Sequence, residues 1–128
     1  MSIQIRKVSS KKELKTFVRF ANRLYKGNKY YVPSMPMDDM NTFTPEKNGA
    51  FDFSEAELYL AYKGDEVVGR VAAIINHKAN EAWKVKQVRF GWIDFIDDLE
   101  VSKALLDAVV AFGKARGMEQ VVGPLGFT

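Results

Sequence analysis

Hydrophobic positions along the chain change their period several times, and each change marks an element. Ile3, Ile5 and Val8 stand among polar neighbours, which predicts a half-buried strand over 3–8. Ser10 followed by Glu13 has capping-box spacing, so a helix opens near Lys11. Leu14, Phe17, Val18, Ala21, Leu24 and Tyr25 then recur at three- and four-residue steps, with Lys12, Lys15, Arg19, Asn22, Arg23 and Lys26 largely on the other side. Gly27 is the natural stop. From Asn28 to Glu55 no period is sustained, and Pro33, Pro36 and Pro45 interrupt any ladder. One short helix near Asp38 is expected there. Phe43, Phe51 and Phe53 would pin this long excursion to the body of the protein as an ordered loop.

The second half is more regular. Runs 56–61 and 67–76 flank Lys63-Gly64-Asp65-Glu66, which suits a tight reversal, and together predict a hairpin. Val71 to Ile75 is continuously apolar, as in a strand covered on both faces. A third strand is expected over 85–95, with Gly91 marking a bulge or a close approach. Asp97 and Glu100 repeat the capping-box spacing, and Val101, Ala104, Leu105, Ala108, Val109, Phe112 and Ala115 form a helical stripe that Gly117 ends. A further strand starts near Glu119 and runs to Val122. The sequence then stops on Gly-Pro-Leu-Gly-Phe-Thr, an apolar ending that reads as the N-terminal part of something longer.

Composition narrows the class. A chain of 128 residues with 47% hydrophobic positions fits one domain spanning 1–128. Area scaling predicts roughly 14,000 Å² removed from water on folding, enough for a core without staples. The absence of cysteine excludes disulfides, thiolate metal sites and a cysteine nucleophile. No apolar run approaches the ~20 residues that cross a bilayer. A cytoplasmic location is expected. Charge is uneven: residues 1–31 carry nine basic side chains against Glu13 alone, a net +8, leaving −5 for the rest of a chain whose total is +3. Such a segment serves either as a phosphate- or nucleic-acid-facing surface or, more simply, as a solvated helix face.

The order strand, helix, excursion, hairpin, strand, helix, strand resembles the first two-thirds of the GNAT acetyltransferase superfamily. The segments LYKGNKYYVPSM, FDFSEAELYLAYKGDEVVGRVAAIIN, VRFGWIDFIDD and GMEQVVGPLGFT carry it, above all the strand with Val68-Gly69-Arg70. They are similar to the N-terminal part of longer bacterial GNAT-like proteins. The resemblance implies a mixed α/β sheet of GNAT type and transfer of an acetyl group from acetyl-CoA to a small-molecule or protein amine. It also implies an acyl-CoA site between the strands at 88–95 and 120–122. By position, Asp94, Phe95, Ile96, Asp97 and Asp98 would meet the cofactor, its pyrophosphate lying at the start of the following helix. That turn has no glycine and carries the carboxylates of Asp97, Asp98 and Glu100, so the usual glycine-rich cradle is missing and no catalytic residue can be transferred. A non-catalytic binding or structural domain is the competing reading.

Other residues carry weaker signals. His77, the single histidine, has Glu81 four residues on and could act as a base or half a metal site, though capping is simpler. Asp94, Asp97, Asp98 and Glu100 form an acidic group without a metal-loop pattern, so no metal is expected. Glu55 and Glu57 stand at a strand entrance and could orient an amine. Tyr25, Lys26, Lys29, Tyr30 and Tyr31 interleave aromatic and basic groups as single-strand nucleic-acid platforms do, but they match no binding fingerprint. Val121, Val122, Leu125 and Phe127 would leave an unprotected strand edge, for which a homodimer is expected.

Overall fold

A computed structural model describes residues 2–31, 33 and 35–125. In chain order it contains β1 (Ile3–Lys7), α1 (Lys11–Leu24), α2 (Pro36–Thr42), two 3₁₀ turns (Pro45–Lys47 and Gly49–Asp52), β2 (Ser54–Lys63), β3 (Glu66–Asn76), α3 (His77–Trp83), β4 (Gln87–Phe95), α4 (Leu99–Ala115) and β5 (Gln120–Val122). The strands form one sheet in the order β1-β2-β3-β4-β5. All neighbours are antiparallel except β4 and β5, which pair in parallel from Gln87↔Gln120 to Arg89↔Val122. The predicted α/β architecture with its hairpin is therefore present.

Alternation along β3 decides what lies on each face. Val71, Ala73 and Ile75 join Val101, Leu105, Val109 and Phe112 of α4 in one core. Ala72 and Ile74 point the other way and join Phe17 and Val18 of α1, with Phe43 and Leu58. Residues 68–76 are all buried, as expected of a strand covered on both faces. At Gly69 a Cβ would lie 2.9 Å from both Leu105 and Val101, so glycine is what lets α4 approach β3 this closely.

Two local expectations are corrected, and one helix appears where none was expected. Helix α4 is capped by Asp98, whose carboxylate accepts from the Glu100 amide at 2.9 Å; the Asp97–Glu100 box does not form. The reason is that Ile96 is still tied to the sheet through its amide and the Val68 carbonyl, which delays the helix. The excursion contains two 3₁₀ turns besides the short helix at Asp38. Residues 77–83 form α3, opened by Asn76 accepting from Ala79 at 2.9 Å, because an asparagine cap after the strand outweighs the weak apolar pattern. The box at α1 holds: Ser10 accepts from the Glu13 amide at 3.1 Å, and Glu13 accepts from the Ser9 amide at 3.1 Å, which with the Ser9 and Ser10 hydroxyls lowers its carboxyl pKa.

Candidate functional site

Strand β4 breaks its ladder in the middle. Ala72 faces Gly91 and Arg70 faces Asp94, so Val71 alone opposes both Trp92 and Ile93, with Trp92 at φ 45°. One extra residue is thus inserted. The bulge turns Trp92 to the α1 side, where its ring meets Phe43 edge-on at 4.7 Å, while Ile93 joins the α4 core. Beside it, β5 stops pairing at Val122, and the Leu125 amide reaches back to the Phe90 carbonyl at 2.9 Å. A Cβ at Gly91 would strike the Leu125 carbonyl, so the expected close approach is real. Val121 and Leu125 are 42% and 44% exposed on this outer edge, while Phe127 lies outside the described residues.

The five residues expected at the cofactor turn do different things. Asp94 is rotated by the bulge to the α1 side. There it accepts from Arg70 Nε at 2.9 Å and from the Tyr25 hydroxyl at 3.0 Å, while Arg70 also donates to the Phe17 carbonyl at 2.9 Å. Arg70 is 5% exposed, so this network locks α1 to β3 and β4. Burial first, and then the Asp94 charge, raise the Tyr25 pKa. Phe95 is half-exposed, Ile96 holds the sheet, and Asp97 is exposed. Asp98 caps α4 and pairs with Lys63 at 3.4 Å. The α4 N-terminus thus already has its anion, with Asp97 and Glu100 beside it. These residues do not fit a pyrophosphate laid on that turn, where three carboxylates would repel it.

A larger feature lies on the α1 side. Helices α1 and α2, the end of β1 and the middle of β2 enclose an open groove of about 1260 Å³. Leu14, Met40, Phe43, Phe51 and Leu58 provide apolar wall, and Lys11, Lys12, Lys15, Arg19 and Lys47 stand around it. The rings continue inward: Phe17 meets Phe43 at 5.4 Å, and Phe43 meets Trp92 at the bulge. The basic charge is visible in the sequence but the groove is not, because α2 supplies the opposite wall from an aperiodic segment.

Glu55 and Glu57 come together with partners that spacing did not reveal. Arg116, after α4, donates to Glu55 at 3.2 Å and to Glu57 at 3.1 Å. Lys7 pairs with Glu57 at 3.1 Å, and the Tyr59 hydroxyl donates to the same carboxylate. Burial acts to raise the Glu57 pKa, but Tyr59, Lys7 and Arg116 outweigh it and leave it lowered; burial and the Glu57 charge push the Tyr59 phenol far up. His77 contacts Glu55 at 3.1 Å, not Glu81. Both carboxylates serve this ion-paired cluster. Of the basic-aromatic group, Tyr25 packs on Tyr31 at 4.8 Å and Tyr31 donates to Asn22, leaving Tyr30 exposed. Among the described residues no group of three histidine or acidic side chains could hold a metal, and no helix is long and apolar enough to cross a membrane.

Comparison with known proteins places this arrangement. No protein-family profile matches the chain. It is 31% identical over 120 residues to protein YghO of Escherichia coli and 30% identical over 122 residues to the bacterial ceramide synthase of Caulobacter vibrioides. Each match takes in 94% of this chain but 30% and 32% of those proteins, so the chain spans about a third of the length of the curated relatives it matches. Among solved structures, a tandem GNAT protein from the clavulanic acid biosynthesis pathway superposes with a TM-score of 0.69 at 10% identity, over 91% of this chain and 34% of that one. AAC(6')-Iy in complex with the bisubstrate analogue CoA-S-monomethyl-acetylneamine gives a TM-score of 0.67 at 16% identity, over 98% of this chain and 81% of that one. The chain has the GNAT acetyltransferase fold.

Proposed function

We propose that the chain forms part of an N-acyltransferase, which joins an acyl group delivered as a thioester to an amine, giving an amide and a free thiol. The observation that carries this reading is the β4 bulge at Trp92 beside a parallel β5 that stops pairing at Val122, set within the GNAT fold. A bulge re-aims side chains and interrupts strand pairing, and bulges are over-represented next to active sites. The relative named bacterial ceramide synthase points the same way, since a ceramide is the amide of a long-chain amino alcohol.

Acetyl-CoA is the donor the fold implies, and the strands and the turn divide over it. The shallow space at Gly91, Trp92, Pro124 and Leu125 lies where the fold implies the thioester arm. The self-capped α4 turn gives its diphosphate no support. Calorimetric titration of the full chain with acetyl-CoA and with S-acetylpantetheine, which lacks the diphosphate, tests both parts. The expected result is saturable heat with both donors and affinities within about threefold of each other. No heat from either at sub-millimolar concentration overturns the acyltransferase reading of this chain. Acetyl-CoA binding more than tenfold tighter overturns the statement about the turn.

A further inference from the structure

The groove between α1 and α2 has a charge pattern that its own helix does not want. Lys11, Lys15 and Arg19 succeed one another at four-residue steps, so like charges stack along one stripe of α1. Such pairs destabilise a helix. Lys11 and Lys12 occupy its first turn, at the positive end of the dipole, where cations are disfavoured. None of Lys11, Lys12, Lys15, Arg19 and Lys47 has an ion-pair partner among the described residues. The one carboxylate at the groove, Glu57, is already engaged by Lys7 and Arg116. Beneath these cations the wall is apolar, and exposed Met37 continues it at the mouth.

We infer that this groove binds a single-chain anionic amphiphile, a long-chain carboxylate, with its hydrocarbon along Leu14, Met40, Phe43 and Leu58 and its head among the α1 lysines. Charge complementarity selects the head, because the cations around the rim attract an anion and repel a cationic head. Size permits the tail, since the groove exceeds the several hundred Å³ usual for small-molecule sites. Flexible methionines suit a chain of variable length. The groove's inner end at Phe43 adjoins Trp92, yet binding does not depend on the acyltransferase reading.

The test is calorimetry of the full chain with octanoate, decanoate and dodecanoate below their micelle concentrations, against dodecyltrimethylammonium and anionic phosphatidylglycerol vesicles. The expected result is one-to-one binding of dodecanoate that tightens roughly tenfold for each added pair of methylenes. The cationic amphiphile should bind at least tenfold more weakly. Lys12→Glu with Lys15→Glu, both exposed, should weaken dodecanoate more than fivefold while the circular-dichroism melt is not lowered, since both changes relieve the repulsion in α1. Met40→Asp should flatten the chain-length dependence. No saturable binding, equal binding of the cationic amphiphile, or an affinity independent of chain length overturns the inference. Vesicle binding without dodecanoate binding overturns it in favour of a membrane surface. Loss of acetyl-CoA binding alone, with dodecanoate binding intact, bears on the proposed function and leaves the groove assignment standing.

Discussion

The two faces of the sheet are built from the same three central strands but finished differently. On the α4 face a long helix lays Val101, Leu105, Val109 and Phe112 onto Val71, Ala73 and Ile75, and Gly69 and Gly113 let it approach closely. On the other face α1 and the short α2 leave the 1260 Å³ groove between them, and a buried arginine paired with a half-buried aspartate anchors α1. One face is dry and held by dispersion and burial. The other is held at one end by a polar lock and left open at the other, which is how a fold keeps a ligand-sized space without losing its core.

Removing the lock should break the open face most severely. Arg70→Met leaves the Asp94 carboxylate without its main donor and removes the tie to the Phe17 carbonyl of α1, and urea unfolding should show a loss of about 3 to 5 kcal/mol. Adding Asp94→Leu should recover more than half of it, because an apolar pair replaces an uncompensated charge. A smaller loss from the single variant than from the double would mean that the pair does not anchor α1.

Truncating one apolar side chain on each face sharpens the contrast. Leu105→Ala in the closed core should cost about 3 kcal/mol, whereas Met40→Ala in the groove wall should cost under about 1 kcal/mol, since Met40 is half-buried and water can fill the space. Equal losses by the same unfolding measurement would show that the groove closes in solution.

The smallest effect concerns the cluster at the sheet's end. Glu57 gives up its proton more readily folded than unfolded, so its contribution is present above its ordinary value of 4.5 and is lost as the pH falls below that through the lowered folded value. Glu57→Gln should therefore flatten the pH dependence of stability below about pH 4.5, by under about 1 kcal/mol for so accessible a pair. An unchanged acid profile would show that Lys7 and Arg116 do not hold the carboxylate.

Legibility followed locality. Ser10–Glu13, the α4 stripe and the 63–66 reversal act between residues close in sequence, so the strand and helix order could be read directly. The cofactor turn shows the limit: five neighbouring residues looked like one site, but the β4 bulge separates them. Asp94 goes to Arg70 and Tyr25, and Asp98 goes to the helix cap and Lys63. Arg116 carries no local signal because its partners Glu55 and Glu57 lie some sixty residues earlier.

By itself the sequence determined the periods, the caps and the surplus of cations in α1, because each depends on contacts within a turn or on composition. It also determined that residues 71–75 would be covered on both sides. Only the tertiary structure decided what those features face. The register shift at Trp92 sets the side on which Asp94 lies. The packing of aperiodic α2 against α1 turns a charged helix face into the rim of a groove. Both depend on pairings between distant segments, and such pairings leave no local period in the chain to read.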